Sequence, residues 1–474
     1  MNLSHKIQDD IFNPLVEVAT NENIKTYVVG GYVRDLLLER KHKKDIDFVV
    51  LGDGISFAKK VAARLNKEKF LSVFKNFGTA MIRLNEIDLE LEFVGARKES
   101  YRSNSRNPKV ETGTFEEDQK RRDFTINALA ISLNRKDYGQ LIDPFNGLND
   151  LKNKILKTPL DPNLTFSDDP LRMMRAIRFS SQLNFKIEKE TLNAISKNAD
   201  RIKIVAQERI TEELNKIILS KRPSSGFKLL EETGLLKIIF PEFQLLKGIE
   251  NINGKSHKDN FYHTLKVLDN ILPFSNGNLW LRWSALLHDI AKPNTKRFNP
   301  TQGWTFHGHE DKGARMVPSI FRKLKLPLDN KMKYVQKLVL LHLRPISLTN
   351  ESITDSALRR LLFEAGDELE DLMTLCKSDI TSKNKEKKIK YLNRFENVKK
   401  KLRDLEDRDK IKNWQPPIDG KEIMDTFNIK PCKEVGILKE SIKNAILDGI
   451  IKNSYEDAKE YMLTKAKEIG LIEK

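Results

Sequence analysis

Two aspartates one residue apart, Asp45 and Asp47, follow closely on the run Gly30-Gly31-Tyr32-Val33-Arg34-Asp35. An apolar strand at Tyr27–Val29 enters the double glycine, a short helical segment carries Val33 to Leu37, and a second strand holds the aspartates. Side chains alternate along a strand, so Asp45 and Asp47 point to one face and Ile46 to the other. Two carboxylates side by side repel unless a cation sits between them, and hard oxygen ligands select Mg²⁺. Gly30 and Gly31 let the backbone approach a phosphate, and Arg34 can neutralise it. These parts suit metal-assisted nucleotidyl transfer. An Asp-x-Asp taken alone reads as a solvated pair near a turn; the double glycine and Arg-Asp just upstream shift the balance.

Further carboxylates follow. Leu89-Glu90-Leu91-Glu92-Phe93-Val94 alternates, so a neighbouring strand would bring Glu92 up as a third acid, although a polar outer face explains the pattern equally well. In Arg121-Arg122-Asp123-Phe124-Thr125-Ile126-Asn127, Arg122 offers a phosphate or ribose donor and Asp123 a hydroxyl acceptor, with Asn127 one helical turn on. Asp168-Asp169-Pro170-Leu171-Arg172 opens with an acidic turn and a proline, both good helix starts, and runs on to Arg175 and Arg178. Asp169 accepts hydrogen bonds and Arg172 only donates them. Cytosine and adenine each present an amine beside a ring-nitrogen acceptor, whereas uracil and guanine present a carbonyl beside a ring N–H. An Asp–Arg pair thus accepts C and A without a template. A surface ion pair at this spacing is the plainer alternative; Arg175 and Arg178, continuing toward a triphosphate, argue against it.

Histidine forms a second constellation. Six of the eight histidines fall between His257 and His342, and His263, His288-Asp289, His309, His342 and Asp379 follow one another in the order H…HD…H…H…D. That order resembles the HD phosphohydrolase superfamily, whose imidazoles and carboxylates hold one or two divalent metals. The resemblance implies Mg²⁺ or a divalent transition metal here.

Elements must position these groups. With 474 residues the chain exceeds what one core serves, so several domains are expected. A net charge of +17 favours a polyanionic partner, unless it marks only a basic enzyme. Cys376 and Cys432 fit no metal spacing, as in a reducing, cytoplasmic setting. No leader pattern and no membrane-length apolar run is expected, nor a membrane partner. Texture divides the chain into residues 1–150, mixing strands and helices; 151–250, helical; 251–385, helical and histidine-rich; and 386–474, lysine-rich and then a small helical element. The lysine run reads as a solvated helix face.

In the first 220 or so residues the chain resembles the tRNA nucleotidyltransferase/poly(A) polymerase family, specifically its bacterial and eukaryotic CCA-adding class. The segments carrying the likeness are GGYVRD with Asp45-x-Asp47, GARKESYRSNSRNPKVETGTFEEDQKRRDFTINALA, DPFNGLNDL, DDPLRMMRAIRF and ERITEEL, in the family's order. The family commonly begins its base-reading motif Glu-Asp; here Asp168-Asp169 stands instead. The resemblance implies an α+β fold: a polymerase-beta-like nucleotidyltransferase head with a five-stranded sheet, then an all-helical neck, HD-type body and tail. It implies two Mg²⁺ ions on Asp45 and Asp47, and nucleotide contacts from Gly31, Arg34, Arg122, Asp169, Arg172, Arg175 and Arg178, with the ribose near Asp123. Residues 97–120 resemble the family's flexible loop at full length, against an enzyme adding only the two cytidines. The expected activity is addition of C, C and A to tRNA from CTP and ATP. Poly(A) polymerase, a phosphohydrolase with a nucleotide-sensing head, and an RNA-binding protein with a dead transferase fold stand as alternatives. Both metal carboxylates are present, against the last. Oligomeric state is left open.

Overall fold

The computed structural model describes the chain apart from residues 8–9, 41–44, 103–104, 350–353, 382–383, 413 and 472–474; at 99–110, 385, 387 and 388 the backbone alone is described. The chain forms two compact units, Met1–Pro241 and Glu242–Lys474. No helix among the described residues is long and apolar enough to cross a membrane.

The first unit begins with α1 (Phe12–Asn21), β1 (Thr26–Val29), α2 (Gly31–Leu37), β2 (Asp45–Val50) and α3 (Gly54–Arg64). Strands β3 (Leu71–Phe74), β4 (Thr79–Leu84) and β5 (Leu89–Gly95) follow, then β6 (Arg97–Arg102), β7 (Ser105–Thr112), α4 (Phe115–Lys120), β8 (Ala130–Ser132) and β9 (Leu141–Ile142). One sheet has the order β3-β4-β5-β2-β1-β8-β9. It has seven strands where the resemblance implies five, because Ala130–Ser132 pairs with the free edge of β1 and Leu141–Ile142 with β8. Residues 97–112, expected as a loop, form the β6–β7 hairpin, whose strands pair from Arg97 with Thr112 to Arg102 with Ser105; 103–104 lie outside the described residues.

Alternation divides β2 and β5 between two environments. Ile46, Phe48, Leu91 and Phe93 are buried, with Phe48 stacked on Phe93 at 4.9 Å and Phe57 of α3 at 5.9 Å from it. Each such ring contributes about 2–3 kcal/mol of burial, so the register is held by the core. The residues between them, Asp45, Asp47, Glu90 and Glu92, share the opposite face. Farther along that face Val49 and Tyr27 join an apolar cluster against Phe115 of α4. Acids thus occupy only the uncovered end. α4 starts at a capping box between Thr114 and Glu117, which fixes the segment that delivers Arg122 and Asp123.

Helices α5 (Gly147–Asn153), α6 (Pro162–Asp168), α7 (Leu171–Leu183), α8 (Lys189–Asn198) and α9 (Gln207–Ile218) continue the unit. α7 packs on α9, burying Met173, Met174, Ile177 and Phe179.

In the second unit, helices Asn260–Ile271, Leu279–Leu287, His309–Lys323, Asn330–Leu341 and Leu369–Asp379 pack around Phe261, Trp283 and Phe321. Two small hairpins, Asn251–Ile252 with Lys255–Ser256 and Arg297–Asn299 with Gly303–Thr305, lie against each other. The lysine-rich run falls on the helix Lys385–Asp409. The final helices, Gly420–Phe427, Lys433–Asp448 and Tyr455–Glu468, enclose their own core of Ile423, Leu438, Ile442 and Met462.

Candidate active site and metal centre

Parallel pairing of β2 with β5 sets Asp45 opposite Glu90 and Asp47 opposite Glu92. Glu92 is therefore brought up beside the two aspartates, and all three reach the open end of the sheet face. Its carboxyl is held above the usual range, first by desolvation against the sheet and then by the negative charge of Asp47, with Arg97 opposing. A carboxyl whose proton affinity is raised by a neighbouring carboxylate sits in a site that also favours a cation. The residues present thus fit a hard divalent ion.

The double glycine lies over this acid cluster. Gly30 has φ +76° and precedes α2, a conformation that L side chains rarely adopt. A Cβ there would lie 3.2 Å from an Arg122 guanidinium nitrogen and 3.4 Å from Asp47 Oδ2. The backbone is thus held close to one acid and one cation, as a phosphate subsite requires. Arg122 is itself steered by Asp118, to whose Oδ2 it donates at 3.2 Å, while Arg121 donates to Oδ1 at 2.7 Å.

Arg34 is placed differently from the expectation of an open phosphate cation. It is buried, donates to both oxygens of Asp35 at 2.9 and 2.8 Å, and donates to Asn127 Oδ1 at 2.8 Å. Asn127 in turn donates to Asp123 Oδ1 at 2.9 Å. Asp123 Oδ1 also accepts from the Phe124 N–H at 2.9 Å, and Oδ2 accepts from Arg175 at 2.7 and 2.5 Å. A carboxylate has about four acceptor positions, and protein donors fill them. Asp123 therefore orders Arg175 and Asn127 and offers no spare acceptor to a ribose. Burial pushes its pKa up, but the Arg175 charge and the bonds from Asn127 and Arg175 prevail and hold it at about 2.

Arg178 is likewise drawn inward. It is buried and donates to buried Glu213 of α9 at 3.0 Å, and burial brings its pKa down to about 10 against the pull of Glu213. The ring of Phe179 unites the group: the guanidinium carbons of Arg34, Arg175 and Arg178 lie 4.9, 5.5 and 4.2 Å from its centroid. Three cations share one ring face system only because Asp35, Asp123 and Glu213 neutralise them. Phe179, Asp118 and Glu213 were not singled out from sequence, and Asp35 was noted only as the neighbour of Arg34; an apolar residue at helical spacing reads as core, and only the i, i+4 relation of Phe179 to Arg175 hinted otherwise.

Asp169 and Arg172 are the opposite case. Their charged atoms stand 3.9 Å apart, too far for a hydrogen bond, with side-chain exposures of 24% and 12%. Asp169 Oδ1 accepts from the Leu171 N–H at 3.2 Å, which aims the carboxylate at the head of α7. An acceptor and a donor fork remain side by side, available to one base edge.

All six groups expected of the histidine constellation converge. Asp289 stands between two sets: its Oδ2 is 3.4 Å from His263 Nε2 and 3.2 Å from His288 Nε2, while its Oδ1 is 3.3 Å from His309 Nε2 and 3.9 Å from His342 Nε2. Asp379 closes the first set, 2.9 Å from His263 and 3.7 Å from His288. The Nδ1 atoms of His288, His309 and His342 donate to the carbonyls of Ala285, Phe306 and Val339 at 2.8, 2.7 and 2.7 Å. The three Nε2 atoms are buried without a hydrogen-bond partner. Rings anchored through Nδ1 with Nε2 bare are how metal-ligating histidines are held. Burial disfavours charge on His288, yet Asp289 and Asp379 push it up to about 10, and both carboxyls are held well below their usual range. His342, fully buried and beside His288, falls to about 4. The cluster attracts positive charge, and two groups of three could each hold a metal: His263, His288 and Asp379; Asp289, His309 and His342. Thr381, 3.0 Å from His263 Nδ1, and Lys292, donating to Asp289 Oδ2 at 2.7 Å, were missed from sequence. Lys292 stands three residues after Asp289, a visible helical relation.

Known proteins align with these parts. The chain matches the "Poly A polymerase head domain" family at residues 26–157, the "Probable RNA and SrmB- binding site of polymerase A" family at 184–246 and the "HD domain" family at 260–383. It is 33% identical over 378 residues to an A-adding tRNA nucleotidyltransferase of Aquifex aeolicus, covering 74% of this chain and 44% of that protein's length. It is 32% identical to an A-adding tRNA nucleotidyltransferase of Deinococcus radiodurans, covering 70% of this chain and 75% of the relative. A multifunctional CCA protein of Pseudoalteromonas atlantica is 34% identical, over 65% of this chain and 71% of the relative. Among solved structures, a Bacillus stearothermophilus CCA-adding enzyme in complex with CTP shares the fold with a TM-score of 0.69 at 23% identity, over 98% of each chain.

Proposed function

From a chain that belongs to the tRNA nucleotidyltransferase/poly(A) polymerase family, we propose an enzyme that adds C, C and A to the 3′ end of tRNA from CTP and ATP. The oxygen of the terminal ribose hydroxyl forms a bond to the α-phosphorus as its proton passes to solvent, the bond from that phosphorus to the α,β-bridging oxygen breaks, and pyrophosphate leaves with that oxygen. The observation that carries the reading is the β2–β5 register, which gathers Asp45, Asp47 and Glu92 under Gly30 and Arg122. Mg²⁺ held by Asp45 and Asp47 would supply charge neutralisation at the reacting phosphate. Glu92 completes the acidic wall, and Gly30 with Gly31 admits the triphosphate next to Arg122. Asp169 accepts from the exocyclic amine of C or A, and Arg172 donates to the adjacent ring nitrogen. Arg34, Asp123, Asn127, Arg175 and Arg178 act chiefly through the Phe179 assembly, which holds the head of α7 rigid.

The net charge of +17 supports tRNA held by phosphate contacts, in the cytoplasm. Four parts are proposed: a head at 1–150, a neck at 151–250, an HD-type body at 251–385 and a tail at 386–474. Relatives carry both the A-adding and the multifunctional name, so the deciding experiment offers each NTP separately to two tRNAs, one lacking CCA and one ending in CC. Incorporation of C on the first and A on the second supports full addition. Incorporation of A alone reduces the proposal to an A-adding enzyme, and no incorporation removes it.

A second activity rests on a specific observation, the three buried Nε2 atoms aimed at Asp289. His263, His288, Asp289, His309, His342 and Asp379 would hold one or two ions, Mg²⁺ or a divalent transition metal, which would activate water for phosphate-ester hydrolysis. Substrates proposed are 2′,3′-cyclic phosphates and phosphomonoesters.

A further inference from the structure

The histidine cluster opens into a cleft of about 810 Å³, within the roughly 300–1,000 Å³ typical of small-molecule sites. His263, Asp379 and Lys292 line one side of it, and His257, Trp304 and Phe306 line another. These three rings come from the two small hairpins and the segments after them, and they meet edge to face: His257 lies 5.3 Å from Trp304 and 5.9 Å from Phe306.

The rings are held in place. Trp304 Nε1 donates to the Lys255 carbonyl at 3.0 Å, crossing from one hairpin to the other. His257 Nδ1 donates to the Lys258 carbonyl at 2.8 Å, and its Nε2 accepts from the Glu250 N–H at 3.2 Å. Phe298 stands edge-on to Trp304 at 5.3 Å, and Lys296 lies over its ring at 5.3 Å. Hydrogen bonding of a half-buried indole across two hairpins builds a fixed aromatic surface. Hydrolysis of a simple phosphate needs no such surface. Lys292 lies 5.6 Å from the Phe306 ring centroid and donates to Asp289 Oδ2, so a cationic group stands between the wall and the metal-ligand groups.

We propose that the Trp304–His257–Phe306 wall is the specificity determinant of the histidine site: it stacks a nucleobase whose attached phosphate ester reaches His263, Asp379 and Lys292. This rests on the phosphohydrolase reading of the cluster. In the reaction the oxygen of water bonds to phosphorus, one ester P–O bond breaks, and the leaving ribose oxygen takes a proton. Stacking uses the π-face that every base has, and among the described residues the cleft lining shows no carboxylate–guanidinium pair like Asp169–Arg172. The site therefore accepts uracil, which the head rejects. The same chemistry is offered by a free nucleotide and by the end of an RNA strand.

Uridine compounds separate this cleft from the head. Four substrates are compared with Mn²⁺, Co²⁺, Ni²⁺ or Mg²⁺ present: uridine 2′,3′-cyclic phosphate, an RNA oligonucleotide ending in that group, the ribose 2′,3′-cyclic phosphate without a base, and glycerol 2-phosphate, which has no ring to stack. Trp304→Ala is expected to raise KM for the uridine substrates about 5- to 150-fold, the range for loss of one base–aromatic stack, and to leave the base-free pair unchanged. Trp304→Phe, which keeps a ring, is expected to restore most of the affinity. Whichever uridine substrate has the higher kcat/KM names the source. A binding measurement stands apart from turnover: uridine 2′-monophosphate should quench tryptophan fluorescence, and Trp304→Phe should remove that quench while the other three tryptophans remain. Equal KM changes for base-bearing and base-free substrates, or an unchanged quench in Trp304→Phe, overturns the wall. Absence of hydrolysis of all four substrates, with the quench intact, removes the phosphohydrolase reading and leaves a nucleotide-binding cleft.

Discussion

Replacing Asp123 by Asn tests the arginine assembly at its most connected point. Holding the Asp123 pKa at about 2 instead of 3.8 corresponds to about 2.5 kcal/mol of native interaction, at 1.36 kcal/mol per pH unit. Asn also turns an amide donor toward the Arg175 donors that now meet Oδ2 at 2.7 and 2.5 Å. Breaking a buried pair in this way costs about 3–5 kcal/mol, so a loss of about 2.5–5 kcal/mol is expected at pH 7. The sign follows from a depressed folded-state pKa. The contribution is complete above about pH 4 and disappears as pH falls through about 2, so wild type and variant should converge in acid. All four tryptophans, at 280, 283, 304 and 414, lie in the second unit, and their fluorescence would miss the change. Amide hydrogen exchange over residues 121–130 and 171–183 reads it directly. Kinetically, KM should rise for CTP, ATP and their deoxy analogues together, because the carboxylate is saturated by protein donors. Unchanged exchange protection between pH 5 and 8 would refute the assembly. Lost discrimination against deoxynucleotides alone would instead make Asp123 a ribose contact.

Asp45→Ala or Asp47→Ala should lower incorporation of both C and A by several orders of magnitude in a primer-extension assay; near-normal turnover by either would remove the acid cluster from the chemistry. Asp169→Ala should begin to incorporate UTP, since hydrogen-bonded selection against an analogue reaches roughly 10⁴–10⁵-fold, whereas Arg172→Ala should slow CTP and ATP alike. Unaltered rate and fidelity in Asp169→Ala would reduce the pair to an ion pair on the surface. His288→Ala should abolish phosphate-ester hydrolysis and reduce bound metal measured by elemental analysis, with nucleotide addition kept. Joint loss of both activities would mean that the cluster serves mainly to hold the second unit together.

Local periodicity carried far in this chain. Alternation alone put Asp45 and Asp47 on one face, because a single-residue slip would bury both carboxylates in place of Ile46 and Phe48. The double glycine and the Asp169–Arg172 spacing were legible for the same reason, each being a short-range relation along one strand or helix, while the histidines and aspartates were legible only by their order along the chain. What neighbours do to a side chain was not legible. Arg34 looked like an open cation and is buried between Asp35 and Asn127; Asp123 looked like a free acceptor and is saturated; Phe179 looked like core and gathers three guanidinium groups. Each depends on partners distant in the chain, Arg34 meeting both Asn127, 93 residues on, and the ring of Phe179, and no local preference encodes them. The sixth and seventh strands of the sheet were missed likewise, since Ala130–Ser132 and Leu141–Ile142 are strands only through the edges they find. Sequence order named the six groups of the histidine cluster, but only helix packing set Asp289 between two sets of imidazoles and brought Trp304 to the same cleft. Types and short spacings decide which chemistry a chain can offer, and long-range packing decides which of those groups remain free to perform it.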